Sequence, residues 1–300
     1  MKKKKSIIDF LKDPYKLLYA ILKRASFIIT NDELYIKLAY FARMHKPLNI
    51  RNPQTYNEKL QWLKLYNRRT EYTELVDKYD VKNYVANIIG PEHIIPTIGV
   101  WDKADDIDFK SLPQQFVLKT THDSGGLYIC KDKKQINVDD IRGKMTKALK
   151  RNYYRLHREY PYKNVRRRII AEPFMIDDSG KGLKDYKFFC FNGEPKIMFV
   201  ATDRPTDTRF DFFDMDFNHL PIKQGHPQAT RPITKPKGFE KMKEMATVLS
   251  KDIPHVRVDF YDINGKVYFG EMTFFHYSGL VPFVPEKWDL IIGNWLQLPQ

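Results

Sequence analysis

Apolar and polar residues alternate along much of residues 115–273, and this pattern predicts a series of short strands. Six of them are predicted over residues 115–119, 127–131, 168–174, 185–191, 196–201 and 209–214. Two more flank the Asn264-Gly265 pair, and Asn192-Gly193 joins two of the six. Because Asn-Gly tolerates positive φ, both pairs are typical of the two-residue turn of a β-hairpin.

Helical periodicity precedes and separates these strands. The capping-box sequence Thr55-Tyr-Asn-Glu58 predicts the start of a helix. Further helices are predicted over about 74–88, 138–158 and 238–251. Residues 6–29 predict one or two short basic amphipathic helices interrupted at Pro14, and the proline-rich residues 221–236 predict a loop. Helices grouped around mostly antiparallel strands indicate an α+β fold rather than alternating βαβ units.

Composition narrows the class of protein. The chain has 300 residues, 42% of them hydrophobic, which suffices for one large domain or two smaller ones. No run of about 18 apolar residues predicts a transmembrane helix, and charged residues interrupt the N-terminal apolar stretch, which argues against a signal peptide. Cys130 and Cys190 lie in apolar strand-like runs, so we expect no disulfide framework and a reducing, cytoplasmic location.

The formal net charge of +14 is unevenly distributed. Residues 1–50 hold 11 Lys/Arg and 4 Asp/Glu, and residues 141–168 hold 11 Lys/Arg and a single acid, Glu159. Such segments favour anionic partners or form solvated basic faces. Residues 1–30 can lie on an anionic membrane surface or dock onto the domain. Nucleic acid is not the expected partner, because the tyrosines interleaved in 141–168 match no known binding module.

Two carboxylates lie on the strands of the last predicted hairpin. Folding at Asn264-Gly265 brings Asp259 and Glu271 close together, between apolar neighbours. Adjacent carboxylates repel each other unless a cation is present, and Mg²⁺ favours a few carboxylate oxygens together with phosphate oxygens. The hairpin is therefore a candidate metal clamp for a nucleotide phosphate, or else an ordinary amphipathic hairpin with acids on its wet face.

A polar glycine loop joins two predicted strands at Ser124-Gly-Gly126. Its backbone N–H groups can cover phosphates closely, and Lys119 on the entering strand can reach a phosphate oxygen. The loop is neither a Walker A loop nor a dinucleotide fingerprint, and a flexible hairpin loop is the alternative. The adjacent residues His122, Asp123 and Ser124 cannot form a hydrolase triad.

Three charged features accompany these motifs. Glu172 ends an apolar strand before a proline, which is typical of a hinge that binds adenine or of an exposed strand end. Alternation places Asp185 and Lys187 on one strand face, and Arg257 and Asp259 on another. Each pair can supply charge to a substrate carboxylate or phosphoryl group, or form a surface ion pair.

Taken in order, these motifs resemble the TupA-like ATP-grasp family of bacterial cell-surface polysaccharide and teichuronopeptide biosynthesis. The matching stretches are residues 52–62, 77–79, 112–119 with the glycine loop, 171–174, 185–193, 257–260 and 270–274. The resemblance covers about residues 40–295. It implies an α+β ATP-grasp fold, in which two subdomains hold ATP between antiparallel sheets. We expect a helical extension over 1–45 and subdomains over 46–165 and 166–300, the latter with the metal site.

The resemblance also implies roles for residues at the matching positions. Those implied to bind ATP are Lys78, Lys119, the loop residues Ser124, Gly125 and Gly126, then Glu172 and the Phe174 backbone at the adenine, and Asp185 at the ribose. Those implied to bind Mg²⁺ are Asp259, Glu271 and Thr273, while Arg257 and Lys187 are implied to be catalytic, contacting the substrate and the phosphoryl group. Many ATP-grasp enzymes have asparagine where this chain has Thr273, so the number of metal ions, one or two, remains open.

The implied activity is that of an ATP-dependent carboxylate–amine ligase that acts through an acyl phosphate. Its partners would be an acidic glycan or other carboxylate and an amine, in cell-surface polysaccharide synthesis, with the protein cytoplasmic or peripheral at the inner face of the membrane. The alternative is a glycosyltransferase of capsule or exopolysaccharide synthesis, for which Asp214-Met-Asp216 has the metal-binding form. A third possibility is a non-catalytic basic module.

Overall fold

The computed structural model of the protein describes residues 13–177, 183–204 and 206–300. The part of the predicted N-terminal extension in residues 1–12 lies outside these ranges. The helices of the described residues are α1 Pro14–Ala25, α2 Asp32–Met44, α3 Tyr56–Tyr66, α4 Tyr72–Val76, α5 Val81–Ile89, α6 Val138–Leu149, α7 Tyr153–His157, α8 Phe239–Leu249 and α9 Lys287–Trp295. The strands are β1 Gly99–Trp101, β2 Phe116–Thr120, β3 Leu127–Cys130, β4 Ile169–Pro173, β5 Asp185–Phe191, β6 Glu194–Thr202, β7 Arg209–Phe213, β8 His219–Leu220, β9 Val256–Ile263 and β10 Lys266–Thr273.

Two antiparallel sheets form the frame of the fold. The larger has the strand order β10-β9-β5-β6-β7-β8, and the smaller has the order β1-β4-β2-β3. Both predicted Asn-Gly turns are present, with positive φ at Asn264 and Gly265 and at Asn192 and Gly193. The predicted α+β class with mostly antiparallel strands is therefore confirmed, and each predicted strand is within three residues of an observed one at both ends.

The large sheet is buried on both faces. Phe188 of β5 packs against Phe239 of α8 on one face, with ring centroids 5.9 Å apart. On the other face Phe189 lies 6.0 Å from Tyr56 of α3. Because both faces are covered, every residue of β5 is buried, and apart from Asp185 and Lys187 its residues are aromatic or Cys. Each such phenylalanine contributes about 1.5–3 kcal/mol by its burial.

The small sheet has a separate core beneath α6. Phe116 and Leu118 of β2 contribute to it from the sheet, while Ile141 and Met145 contribute from α6. Strand β4 lies beyond the predicted subdomain boundary at 165/166, yet it pairs with β1 and β2 of this sheet. The strand thus links the chain segment that carries the glycine loop with the one that carries the metal hairpin.

Two predicted helices are each divided in the structure. The one expected over 74–88 is interrupted between α4 and α5, because Asp77 Oδ1 accepts from the backbone N–H groups of Tyr79 and Asp80 at 2.8 and 3.2 Å. Such a side chain competes with helical hydrogen bonds. The one expected over 138–158 is interrupted between α6 and α7, where Asn152 caps the second helix by accepting from the Arg155 N–H.

Helices α1 and α2 dock onto the domain through one buried arginine. Arg158 donates to the Ser26 carbonyl at 2.8 Å and lies 3.2 Å from Asp32. Its guanidinium also stacks 4.3 Å from the ring centroid of Tyr35. Tyr154 donates to the same Asp32 at 2.6 Å. Over the described residues from 13 onward, the N-terminal segment thus docks onto the domain. In the part of the chain that the structure describes, no helix is long and apolar enough to cross a bilayer.

Candidate active site

The two predicted metal carboxylates face each other across the β9–β10 hairpin. Asp259 is the register partner of Glu271, and a β-bulge at Gly270 separates this pair from the preceding ladder. Without the extra residue Asp259 would oppose Gly270, and Glu271 would point to the other sheet face, because strand side chains alternate. The bulge is therefore what brings the two carboxylates together, and Asp259 lies in the middle of β9.

Arg257 lies at the centre of this carboxylate pair. Its guanidinium donates to both oxygens of Asp259 at 2.7 Å, to Glu271 Oε1 at 3.2 Å and to Thr273 Oγ1 at 3.0 Å. The remaining nitrogen donates to Nδ1 of the buried His276 at 2.7 Å. His276 in turn contacts Gln224 Oε1 at 2.9 Å. This fork geometry fixes Arg257 in the plane of the carboxylates.

A second cation reaches the same acids from β5. The Lys187 ammonium donates to Asp259 Oδ2 and lies 3.3 Å from Asp185. Asp185 is also paired with Arg204. Both pairs that alternation predicted on single strand faces are thus in contact, and they are buried rather than exposed surface bridges.

The charges around Glu271 keep its carboxyl ionised. Burial alone would raise its pKa, but the positive charges of Lys187, Lys78 and Arg257 outweigh burial and lower the pKa to about 2. Its side chain is nevertheless 42% exposed, so the carboxylate faces open space at the edge of the cluster. An ionised and accessible oxygen donor is what a metal ligand requires.

Protonation of Glu271 is expected to cost stability only in strongly acidic solution. In the unfolded chain a glutamate titrates at about 4.3, whereas this one titrates at about 2 when folded. The unfolded chain therefore binds the proton more readily, and the stabilisation is present above about pH 4.3 and is lost as pH falls towards 2. In urea unfolding between pH 5 and 2.5, the stability advantage of the parent over Glu271→Gln should shrink. An advantage that stays constant over this range would contradict the lowered pKa.

The oxygen donors of this site fit a magnesium ion that takes its remaining ligands from other molecules. Asp259 and Glu271 offer carboxylate oxygens and Thr273 a hydroxyl, while Arg257 and Lys187 now contact these same atoms. Among residues 13–177, 183–204 and 206–300, no group of three or more His, Cys, Asp or Glu could hold a metal by itself. The site therefore suits Mg²⁺ bound together with phosphate and water oxygens.

The glycine loop between β2 and β3 is held closed by Asp123. Its Oδ1 accepts from the Thr120 hydroxyl and, at 3.1 Å, from the Gly126 N–H, while Oδ2 lies 3.2 Å from Arg151. Lys78 reaches the loop from the α4–α5 break and donates to the Asp123 carbonyl at 2.6 Å. The loop is thus an ordered turn with a lysine at its base, rather than a free hairpin loop.

Glu172 lies at the end of a largely apolar cavity of about 460 Å³. Its two oxygens accept from Lys119 at 2.5 Å and from Lys82 at 2.6 Å. Burial would raise the pKa of Glu172, but the two ammonium groups outweigh it and hold the pKa below its usual value. The cavity is also lined by Phe174 and Tyr261, and its shape and apolar walls suit a flat ring such as a purine.

A second cavity, of about 570 Å³, adjoins the carboxylate pair. Of the predicted site residues, it is lined by Lys78, Ser124, Lys187, Arg257, Glu271 and Thr273. Those that line the apolar cavity are Lys119, Glu172, Phe174 and Asp185. Lys78, Lys119 and Glu172 also share a small space with Tyr261 and Gly270. Asp259 lies buried behind Arg257 and Lys187 and lines neither large cavity.

Sequence reasoning missed several members of the site. Lys82 lies four residues after Lys78, and in the single helix predicted over 74–88 this spacing would place both lysines on one face. In the structure Lys78 lies in the break before α5. Arg204 and His276 come from loops, and no periodicity or motif marks them. Asp214 of the Asp-x-Asp sequence accepts from the N–H groups of Asp216 at 3.0 Å and Asn218 at 2.8 Å. It therefore closes the turn after β7, as an Asx side chain does.

Comparison with known proteins gives the following similarities. A family model described as TupA-like ATPgrasp matches residues 58–297. Among solved structures the chain is similar to D-alanine–D-alanine ligase from Helicobacter pylori, with 18% identity and a TM-score of 0.42 over 81% of this chain and 69% of that one. It is also similar to the Bacillus anthracis enzyme of the same name, with 15% identity and a TM-score of 0.37 over 66% and 56%.

A third solved structure is the ATP-grasp ligase PsnB complexed with minimal precursor, Mg and ADP. Identity is 7% and the TM-score 0.38, over 91% of this chain and 66% of that one. The chain thus spans between about half and two thirds of the length of these three proteins. No curated protein matches the sequence.

Proposed function

Because the chain belongs to the TupA-like ATP-grasp family and is an ATP-dependent ligase, we propose that it activates a carboxylate as an acyl phosphate and joins it to an amine. One observation carries this proposal. One cavity is lined by Ser124 of the glycine loop, by Glu271 of the carboxylate pair, and by Lys78, Lys187 and Arg257. It shares Arg204 with the apolar pocket that Glu172 lines.

The apolar pocket is the proposed adenine site. Glu172 would accept from the exocyclic amine, the Phe174 backbone would meet the ring edge, and Asp185 at the pocket wall would accept from the ribose. The ammonium of Lys119, which now lies on Glu172, would turn to the phosphates with Lys78. Ser124, Gly125 and Gly126 would cover the phosphates with their backbone N–H groups.

Asp259 and Glu271, with Thr273 as a weaker ligand, would hold Mg²⁺. When bound, the ion would supply positive charge that offsets the negative charge of the nucleotide phosphates. Arg257 and Lys187 already lie on these acids and would keep the cluster from net repulsion. They also line the cavity in which a substrate carboxylate would lie, so they would orient that carboxylate and balance developing negative charge.

The proposed reaction has two steps. A substrate carboxylate oxygen bonds to the γ-phosphorus, and the bond from that phosphorus to ADP breaks. The amine nitrogen then bonds to the acyl carbon as the bond from that carbon to phosphate breaks. The ammonium form of the amine gives up two protons in all, one of which leaves with the phosphate. The products are ADP, phosphate and an amide.

ADP release that requires an acid and an amine together is the test of this activity. Purified protein with Mg-ATP should be assayed against uronic acids and amino acids as acids, each with and without amino sugars and amino acids as amines. Turnover in pairs, with neither partner sufficient alone, is expected. ADP formation that ignores the acid, or transfer from a labelled UDP-sugar without any effect of ATP, would contradict the proposal.

The acid is proposed to be an acidic glycan or its precursor, handled in the cytoplasm at the inner face of the membrane. Two features support this. The chain carries a net charge of +14, and α1 with the residues after it presents apolar side chains to solvent beside Lys23 and Arg24. Those side chains are Leu17, Ile21, Phe27 and Ile28, of which Ile28 is 82% exposed. Apolar residues flanked by basic ones suit an anionic lipid surface.

Replacing Phe27 and Ile28 together by aspartate is expected to abolish membrane binding. The parent should sediment with vesicles of phosphatidylglycerol and phosphatidylcholine, and the variant should not. The substitution removes two apolar side chains that would enter the lipid, and it brings two negative charges to an anionic surface. Lys37→Asp on the exposed face of α2 is the control that carries the charge change without the apolar loss. Equal sedimentation of the parent with purely zwitterionic vesicles would argue against this part of the proposal.

Gly126→Ala is expected to weaken Mg-ATP binding about tenfold or more. A Cβ at this position would meet Thr120 Oγ1 at 1.7 Å and Asp123 Oδ1 at 2.7 Å, so the loop must leave its position, and small displacements cost much at a phosphate site. Gly143→Ala on α6 is the matched control, because its Cβ meets nothing within 4 Å and should add about 0.5–1 kcal/mol of stability. Calorimetric titration and thermal unfolding measure both, and unchanged affinity in Gly126→Ala would contradict the role of the loop.

A further inference from the structure

The larger cavity has a second end, away from the carboxylate pair. Helices α1 and α2 form part of its wall there, through Tyr19, Lys23 and Arg43. These residues precede the stretch 58–297 that the family model matches. His157 and Glu159 line the same cavity. The charge of Lys23 acts on His157, and that of Glu159 acts on Tyr19. The docked N-terminal helices therefore complete a cavity whose other end is the proposed reaction centre.

Two buried polar atoms at this end have no hydrogen-bond partner among the described residues. Glu159 is 2% exposed, and its Oε1 has no hydrogen bond among the described residues. The Nδ1 of His157 likewise has none among them. Burial lowers the pKa of His157 to about 3, so its imidazole is neutral at physiological pH and accepts at one nitrogen. Unpaired buried polar atoms cost free energy unless a ligand or water satisfies them.

Lys64, whose charge acts on Glu159, is already hydrogen-bonded to other groups. The ammonium of the buried Lys64 donates to the carbonyl and hydroxyl oxygens of Ser278 and to Gln61 Oε1, at 2.8, 2.8 and 3.0 Å. Burial raises the pKa of Glu159 to about 7, although Lys64 and the Ser278 hydroxyl act to lower it. Of the three acids that line the cavity, Asp123 and Glu271 are already bonded. Glu159 is thus the acid that has room for a ligand cation.

Two unpaired cations face these acceptors. Lys23 and Arg43 both lie 5.2 Å from the ring centroid of Tyr19. Neither has a carboxylate partner within the described part of the chain, and Arg43 makes one weak hydrogen bond, of 3.4 Å, to the Leu280 carbonyl. Two like charges held against one ring attract an anion. This end of the cavity therefore offers acceptors for an ammonium and cations for an anionic group.

Two neighbouring tyrosines, Tyr153 and Tyr162, also line the cavity. The rings of Tyr153 and Tyr162 are 4.6 Å apart. Burial raises the pKa of both, and the charges of Glu159 and Glu271 add to the effect from the two sides. Glu159 and Glu271 line the same cavity, so a ligand amine held at Glu159 would share that cavity with the proposed acyl phosphate.

We propose that this end of the cavity binds the amine substrate, and that the substrate is a zwitterion of the amino-acid class. Its ammonium would be held by Glu159 and His157, and its anionic group by Lys23 and Arg43. The inference rests on the proposed ligase activity, since it gives a position to that reaction's second substrate. It also gives the N-terminal helices a role in recognition.

Matched compounds test the two halves of this site. Glycine, alanine, glutamate and lysine are each compared with their N-acetyl derivatives, which lack the α-ammonium, and their carboxamides, which lack the α-carboxylate. Binding to the full-length protein is measured by calorimetric titration in the presence of saturating Mg-AMP-PNP. At least one free amino acid is expected to bind about tenfold or more tightly than both of its derivatives. Loss of the ammonium leaves the buried Glu159 unpaired, and loss of the carboxylate removes the attraction of Lys23 and Arg43.

Variants assign the two charges to their residues. Glu159→Gln should lose about tenfold or more in affinity for the free amino acid and little for the N-acetyl derivative, while Lys23→Ala and Arg43→Lys should weaken both acid-bearing ligands. Lys37→Ala on α2 is the matched control and should bind as the parent does. All four should bind Mg-AMP-PNP normally.

The outcomes separate this inference from the function on which it rests. If the parent binds Mg-AMP-PNP but no free amino acid is preferred over its derivatives, or if Glu159→Gln binds the amino acid within twofold of the parent, the zwitterion site is refuted and the ligase proposal stands. If the parent does not bind the nucleotide, the ligase proposal itself is refuted, and the inference with it.

Discussion

Glu271→Gln is expected to lower the rate of ADP formation about 100-fold or more while leaving the fold intact. The substitution keeps the shape of the side chain but removes the charge that the proposed metal requires, and loss of one electrostatic element of a reaction centre costs this much. The fold should tolerate it, because the side chain is 42% exposed and its one contact with Arg257 is 3.2 Å long. Steady-state kinetics and thermal unfolding measure the two effects.

Glu240→Gln on α8 is the matched control for this substitution. Glu240 is an exposed acid that pairs with Lys235 at 2.8 Å, so the same loss of charge occurs far from both cavities. Its turnover should equal that of the parent. If Glu271→Gln kept its rate within twofold, the β9–β10 carboxylates would not be the metal ligands, and the proposed mechanism would lose its centre.

Arg257→Met is expected to destabilise the protein by about 3–5 kcal/mol as well as to abolish turnover. The guanidinium satisfies both oxygens of the buried Asp259 and contacts Glu271, Thr273 and His276. Its removal leaves Asp259 with Lys187 as its remaining cation, and breaking a buried pair from one side is costly because a charge stays behind. Urea unfolding at pH 7 measures the loss.

A surface arginine with equally good geometry provides the comparison. Arg166 makes two hydrogen bonds to Asp102, at 3.1 and 2.8 Å, but the two side chains are 66% and 56% exposed. Arg166→Met should therefore cost no more than about 1 kcal/mol. Equal losses in the two variants would mean that Arg257 is not held by the buried network described above.

The strands and the hairpins could be predicted from the sequence because their signals are local. Alternation fixes which side chains share a face, and the Asn-Gly pairs at 192–193 and 264–265 fix the turns. For this reason the pairs Asp185–Lys187 and Arg257–Asp259 could be placed correctly. The proximity of Asp259 and Glu271 was predicted from the Asn-Gly turn alone. It also depends on a bulge at Gly270, which no pattern in the sequence indicates.

The features that could not be predicted depend on contacts between residues far apart in the sequence. The break between α4 and α5 follows from Asp77, which accepts from the next turn and also pairs with Arg168, 91 residues away, at 2.7 Å. The docking of α1 and α2 depends on Arg158, which counted in the sequence only as part of a basic segment. The acceptor end of the large cavity likewise joins residues from distant parts of the chain, and their spacing carries no common signal.

Binding of Mg-ATP is the measurement that tests the ligase account most directly. A thermal-unfolding series should compare ATP with Mg²⁺ and a UDP-sugar with Mn²⁺, each up to millimolar concentration. An ATP-dependent ligase should be stabilised by Mg-ATP, by about 2.7 kcal/mol at 100 times the dissociation constant, and should not be stabilised by the UDP-sugar. Stabilisation by the UDP-sugar alone, with no effect of Mg-ATP on the parent protein, would contradict it.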